Sequence, residues 1–288
     1  DNKGGVAVIL AALRAMKAAG TLKGANITVF LTGDEEDPGT PQSLARADLV
    51  AAGKAADVAL DFEGLARENG KDMGSIARRS VNDWSLTVRA RSAHSSGVFS
   101  ASSGYGANYE LARILDTFRR EVAEPSLTFN VGLIAGGTAA KLDAGGIRAE
   151  ASGKTNIIAA EAVARGDLRA ISQEQIDRAK AKMQAIAKSS LPGVLEVRLS
   201  FEDGYPPMAP TAGNRALLDR LNGVNRDLGL AEMAPLDPLK RGAGDISFVA
   251  ADVDGLVGLG PSSSGDHTPE ERVDIPRSEE HTSELQSH

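Results

Sequence analysis

Two hydrophobic rhythms alternate along the first eighty residues. Val6, Ile9, Leu10, Leu13 and Met16 recur at helical spacing and Gly20 stands where a helix would stop. "NITVFLTG" (26–33) is instead a short, nearly continuous apolar run, which predicts a buried parallel strand ending at Gly33. A second helix is predicted over 43–52 and a second strand at "DVALDF" (57–62). This alternation is α/β. From Asn82 the rhythm changes, because "WSLTVRA" alternates apolar and polar positions as a half-exposed strand does. A helix over 105–121 follows, with Leu111, Leu115 and Phe118 on one face. Then come strands at "LTFNVGLI" and "EAVARGDLRAI", a helix over 173–188 and a strand at "LEVRLSF". That order, β-α-β-β-α-β, is the ferredoxin-like signature.

The three prolines of "DGYPPMAPT" mark a boundary, after which helices over 214–228 and 245–251 and a strand at "GLVGLG" resume the first pattern. The expected organisation is an α/β catalytic domain over 1–81 and 205–276, interrupted by a ferredoxin-like domain over 82–204. "RSEEHTSELQSH" (277–288) has no periodicity and no aromatic residue. It resembles the translation of a sequencing-adapter oligonucleotide and is read as an artefactual tail. The start at Asp1, without Met or any signal-peptide character, is read as a truncation.

Composition narrows the chemistry. With 288 residues and 42% hydrophobic content the chain can bury one large or two ordinary cores. A net charge of -7 without a basic stripe argues against nucleic acid as a partner. No apolar run approaches the roughly 20 residues that span a bilayer. The absence of Cys removes disulfides, thiolate nucleophiles and Cys-based zinc sites together, so any metal must be held by His and carboxylates. Of four His residues, two lie in the tail, which leaves His94 and His267.

The strand 26–33 delivers Asp34, Glu35, Glu36 and Asp37 to one loop, at the end of the sheet where α/β proteins place ligands. Alone, such a run reads as a solvated acidic turn. Asp1 alone reads as a helix cap before Gly4-Gly5, Glu63 in "DFEG" as a loop acid, and His267 in "GDHT" as a surface His. Together, Asp1, Glu36, Glu63 and His267 each adjoin an element at an expected common edge. Their oxygen and imidazole donors suit zinc, manganese or cobalt in a hydrolytic site.

The ordered series "DNKGG", "TGDEE", "DFEG", "AHSSG", "KTNII", "GDLR" and "GDHT" resembles the M20 metallopeptidases, a family that includes glutamate carboxypeptidase, acetylornithine deacetylase, succinyl-diaminopimelate desuccinylase and aminoacylase. The resemblance covers residues 1 to 276. It implies that Asp1 bridges two zinc ions, that Glu36 and His267 complete one, and that Glu63 ligates the other, with Asp61 two residues earlier as an alternative. Glu35 becomes the general base that takes a proton from metal-bound water and returns it to the leaving amine. His94 resembles the family's lid His, which often reaches the substrate across a dimer interface. Asn156 and Arg169 match positions that grip a substrate carboxylate, and Gly242, Gly244 and Asp245 of "RGAGDISF" a backbone wall.

The function so implied is release of an amino acid from a peptide or N-acyl amino acid with a free carboxylate, by a homodimer joined through the inserted domain. The family's second ion also uses a His from an upstream His-x-Asp motif, which the chain lacks, so impaired activity is expected of it. A non-catalytic binding or dimerising protein on the same fold is the alternative. No G-x-S-x-G elbow or phosphate-binding loop is present. The compartment, cytoplasmic or exported, stays open.

Overall fold

The computed structural model describes residues 2–266 and 268–274, and the chain divides into two units, 1–79 with 207–288 and 80–206. The first unit begins with α1 (Lys3–Ala18), α2 (Gln42–Ala45), α3 (Ala47–Lys54), β1 (Ala59–Leu60), β2 (Ala66–Glu68) and β3 (Lys71–Gly74). The second unit holds β4 (Asn82–Ala90), α4 (Ala107–Glu121), β5 (Thr128–Phe129), β6 (Leu133–Gly137), β7 (Ala139–Leu142), β8 (Ala149–Ser152), β9 (Glu161–Arg169), α5 (Gln173–Lys188) and β10 (Val194–Asp203). The chain then returns to the first unit with α6 (Ala212–Asp227), β11 (Ala234–Pro235) and β12 (Gly255–Leu256). Helices and sheets are thus mixed, as the sequence pattern predicts. No helix of the described residues is long and apolar enough to cross a membrane.

In the second unit the sheet runs β10-β4-β9, with β5 and β6 both on the far side of β9 and every pairing antiparallel. Period-2 alternation puts Trp84, Leu86 and Val88 of β4 on one face, where they meet Leu111, Ile114 and Phe118 of α4 and Ile176, Ala179 and Met183 of α5. Trp84 and Phe118 pack edge to face with ring centroids 6.1 Å apart. Gly166 of β9 permits this, because a Cβ there would overlap the Asn130 carbonyl and come within 2.6 Å of the Trp84 ring. Ser172 and Thr211 cap α5 and α6 through their hydroxyls.

The first unit is less continuous. Its core joins Met208, Ile246, Val249, Val253 and Val257, with Ile76, Leu218 and Leu256 as a second cluster. β1 pairs in parallel with β12, and β3 lies between β2 and β11. Three expectations are corrected here. Residues 26–33 form no strand, and Ile27, Val29, Phe30 and Leu31 are exposed. A parallel strand needs neighbours to take its slanted hydrogen bonds and layers to cover both faces, and no described strand lies beside this run. The predicted helix over 245–251 is a 3-10 turn, Asp245–Phe248. The helix expected over 43–52 is interrupted at Arg46, whose side chain is drawn into the site described below.

Truncating Phe118 to Ala removes the ring that closes the second unit's core. The expected cost is about 3–5 kcal/mol, read as a lowered denaturant midpoint, and a shift below about 1 kcal/mol would show that the core collapses around the loss.

Candidate active site

β1 ends at Leu60 and the chain turns at once, with the Glu63 N–H donating to Asp61 Oδ1 at 2.7 Å. This turn carries Asp61 and Glu63 toward Arg78, whose backbone is fixed by reciprocal hydrogen bonds with Met208. The Arg78 guanidinium forks onto Glu63: Nη1 donates to Oε1 at 3.0 Å and Nη2 to Oε2. Nη1 also stands 3.9 Å from Asp61 Oδ2. Arg241 donates to the Gly64 carbonyl at 2.7 Å and lies 3.7 Å from Glu63 Oε2.

The acidic loop is anchored by a second buried arginine. Arg46, 1% exposed, donates from Nη1 to Asp34 Oδ1 at 2.7 Å, from Nη2 to the Asp34 carbonyl at 3.0 Å and from Nε to Asp245 Oδ1 at 2.9 Å. Asp34 Oδ2 accepts the Gly39 N–H at 3.0 Å. The Gly39 amide and Arg46 hold the Asp34 carboxyl below its usual range against its partial desolvation. Loop and 3-10 turn are thus tied together through one guanidinium, immediately before Glu35.

Glu35 itself is pushed up to about 7, first by burial and then by the charges of Glu63, Glu36 and Asp245, with Arg78 opposing. Burial and the Glu63 charge also raise Asp61. Burial and the neighbouring Arg78 lower Arg241. Glu35, Glu36, Glu63, Arg78, Arg241 and Asp245 all line one cavity of about 1980 Å³. Asn2 and Asp266, the chain neighbours of Asp1 and His267, line it too. Asp1 and His267 lie outside the described residues. Of the proposed metal and base set, the structure therefore brings together Glu35, Glu36 and Glu63, with Asp61 as Arg78's more distant partner.

As arranged, these residues do not fit a metal ion. No three His, Cys, Asp or Glu side chains among the described residues form a group able to hold one, and both oxygens of Glu63 are taken by Arg78.

The model of peptidase family M20/M25/M40 matches residues 1–286. The chain belongs to this family. Among solved structures, the aminopeptidase PepT from Bacillus cereus superposes with a TM-score of 0.63 at 18% identity, covering 99% of this chain and 69% of that one. A tripeptidase from Staphylococcus aureus gives 0.54 at 18% identity, over 80% of this chain and 55% of that one. YxeP from Bacillus subtilis, described as a dinuclear metal binding peptidase from the M20 family, gives 0.51 at 11% identity, over 84% and 60%. The chain thus spans little more than half the length of the tripeptidase, and the likeness to all three is one of fold.

The second-unit residues singled out in the sequence fall into two places. His94 and Asn156 are neighbours: His94 bridges Ile157, and the Ser95 N–H donates to the Asn156 carbonyl at 2.9 Å. His94 Nδ1 accepts from the Ser96 N–H at 3.2 Å, which leaves the proton of a neutral ring on Nε2. Arg169 is elsewhere, at the far end of β9, where its Nε donates to Asp167 at 2.8 Å. Eight residues at ~3.4 Å each separate it from Glu161 by about 27 Å, so the expected grouping of Asn156 with Arg169 around one carboxylate is not met within one copy. Gly242 lines the cavity and Gly244 backs directly onto Arg78 and Glu63. Arg46, Arg78 and Arg241 are absent from the sequence-based set; a basic residue inside the apolar runs "SLARADLV" and "GSIARR" is the signal that marks the first two.

A carboxyl raised from 4.5 to about 7 by folding stabilises the fold below pH 4.5, and that contribution is lost as pH rises toward 7. In chelator-treated protein, Glu35→Gln is therefore expected to gain stability over the parent chain progressively across this window, read from urea midpoints at several pH values. Parallel midpoint curves for the two proteins would contradict the burial of Glu35.

Proposed function

We propose that this M20 chain belongs to a metal-dependent amidohydrolase or exopeptidase that releases an amino acid from a peptide or N-acyl amino acid, with Glu35 as its proton carrier. One observation carries this: a carboxyl poised at about 7 in a cavity that it shares with Glu36 and Glu63. A group with that pKa can both accept a proton from an attacking water and hand it to a leaving amine at neutral pH. A peptide substrate also agrees with the names of the M20-like tripeptidase and aminopeptidase. Zinc, with cobalt or manganese as substitutes, is the ion that the M20 resemblance assigns to Asp1, Glu36, Glu63 and His267, a set that the described residues alone do not assemble. Arg169 and Asn156 supply carboxylate recognition, and Gly244 a backbone wall.

The separation of Arg169 from the His94–Asn156 pair supports a homodimer in which one substrate meets Arg169 of one copy and His94 of the other. Each copy would then complete its partner's site through the second unit.

Replacing Glu35 by Gln is expected to lower kcat by roughly 10²–10⁴-fold while zinc stoichiometry, measured on dialysed protein, stays that of the parent chain; undiminished turnover would remove Glu35 from the mechanism. In mixed preparations, His94→Ala and Glu35→Gln chains, each inactive alone, are expected to recover a fraction of the activity, because a hybrid holds one site with both groups. Failure to recover any would place His94 and Glu35 in the same copy's site.

A further inference from the structure

Phe99 combines two costs that a large side chain rarely bears together, a left-handed backbone and an exposed ring. Its φ is +69, a region that glycine or asparagine enters readily and a bulky residue does not. Burial of the side chain could offset such strain, but Phe99 is 54% exposed. Strain kept without burial points to a use for the residue. We propose that Phe99, with Tyr105 and Tyr109, forms an aromatic subsite for a large apolar side chain on the substrate residue that carries the free carboxylate, which makes Phe99 a specificity-determining residue. The inference rests on the amidohydrolase reading above and names its substrate class.

The ring is held by its neighbours and leaves one side open. Phe99 meets Tyr105 and Tyr109 edge to face, with centroids 5.0 and 5.4 Å apart and planes inclined at 63° and 61°. Tyr109, in the first turn of α4, is itself 54% exposed. The loop beneath is fixed by its backbone alone: the Phe99 N–H donates to the Gly104 carbonyl at 2.8 Å, the Gly104 N–H to Ser100 at 2.8 Å and the Tyr105 N–H to Pro192 at 3.0 Å. None of these bonds needs a phenyl group. Between His94 and Tyr105 every residue except Val98 and Phe99 is Ser, Ala or Gly, so the ring stands over a loop of small side chains. From Ser95 to Tyr109 no residue is charged, which suits an apolar occupant and offers nothing to a charged one.

His94 and Asn156 say which part of a substrate meets this loop. His94 is exposed and caps the 3-10 turn Ser95–Gly97, five residues before Phe99, a chain length that allows at most roughly 17 Å between their Cα atoms. The Ser95 N–H joins the same turn to the Asn156 carbonyl. In the reading above, His94 reaches the scissile amide and Asn156 the carboxylate. The atom bonded to both groups is the α-carbon of the released residue, and its side chain is what remains to meet Phe99.

The ¹⁵N-labelled full chain is titrated with N-acetyl-L-phenylalanine and, separately, with N-acetyl-L-alanine. The amides of Phe99, Tyr105 and Tyr109 are expected to shift at about tenfold lower concentration of the phenylalanine ligand, a modest value for apolar discrimination. Phe99→Gly, which removes the ring in a conformation open to glycine, is expected to lose that difference while the amide spectrum stays that of a folded chain. An equal response to the two ligands, no shift at these amides with either, or a preference retained by Phe99→Gly overturns the inference. So do shifts that follow protein concentration instead of ligand, because a second copy then covers the rings. Hydrolysis of both compounds by the zinc-supplied chain is measured alongside. Binding preference without turnover leaves the subsite standing and counts against the amidohydrolase reading, whereas turnover without preference overturns the subsite alone.

Discussion

Carboxylates crowded into a half-buried cavity repel one another, and the first unit is arranged around the relief of that repulsion. Asp34, Glu35, Asp61, Glu63 and Asp245 approach from three separate chain segments. Two buried arginines meet them: Arg46 between Asp34 and Asp245, and Arg78 between Glu63 and Asp61. Removing one partner of a buried pair costs about 3–5 kcal/mol because the other charge is left unsolvated. Each arginine thereby fixes the segments it joins, and the break between α2 and α3 at Arg46 is the local sacrifice that brings its side chain inward. Glu35 and Asp61 are both raised by burial and by the Glu63 charge, and Glu35, pushed up to about 7, is the one that offers a proton near neutral pH.

The two units reach stability differently. The second buries one contiguous core between a five-stranded antiparallel sheet and two helices, which rests on ordinary amphipathic patterning. The first splits its apolar burial into two small clusters and exposes Leu10 of α1 together with much of the 27–31 run. Polar and ionic links therefore carry more of its definition: Asn214 alone donates to the Ile76 and Ala209 carbonyls and accepts the Gly255 N–H, tying α6 to the strand ends. Such links specify geometry more than they add stability.

Patterning made the second unit legible from the sequence because both its periodicities are local. The α5 boundaries 173–188 follow from a Ser cap and an apolar stripe, and β4 from strict alternation. The 26–33 run misled because a continuous apolar stretch reports burial potential, whereas strand formation also depends on neighbours that no local pattern reveals. At the site, motif residues Glu35, Glu36 and Glu63 do come together. The arginines that neutralise them could not be placed, since which buried cation meets which acid is decided by contacts between residues as far apart as Arg46 and Asp245. Arg169 shows the reverse limit: sharing a motif list with Asn156 carried no information about the distance between them, which the length of β9 sets.

The sites of charge compensation also explain why glycine stands at 244. The Arg78 fork and the 3-10 turn beginning at Asp245 must pass within van der Waals contact of each other, because Asp245 answers to Arg46 from one side while Glu63 answers to Arg78 from the other. Any Cβ between them would overlap the guanidinium. A backbone wall without side chains is thus a geometric consequence of placing two ion pairs back to back. The same thinness keeps the cavity open beside Glu35, so the constraint that neutralises the acids also leaves space next to a carboxyl pushed up to about 7.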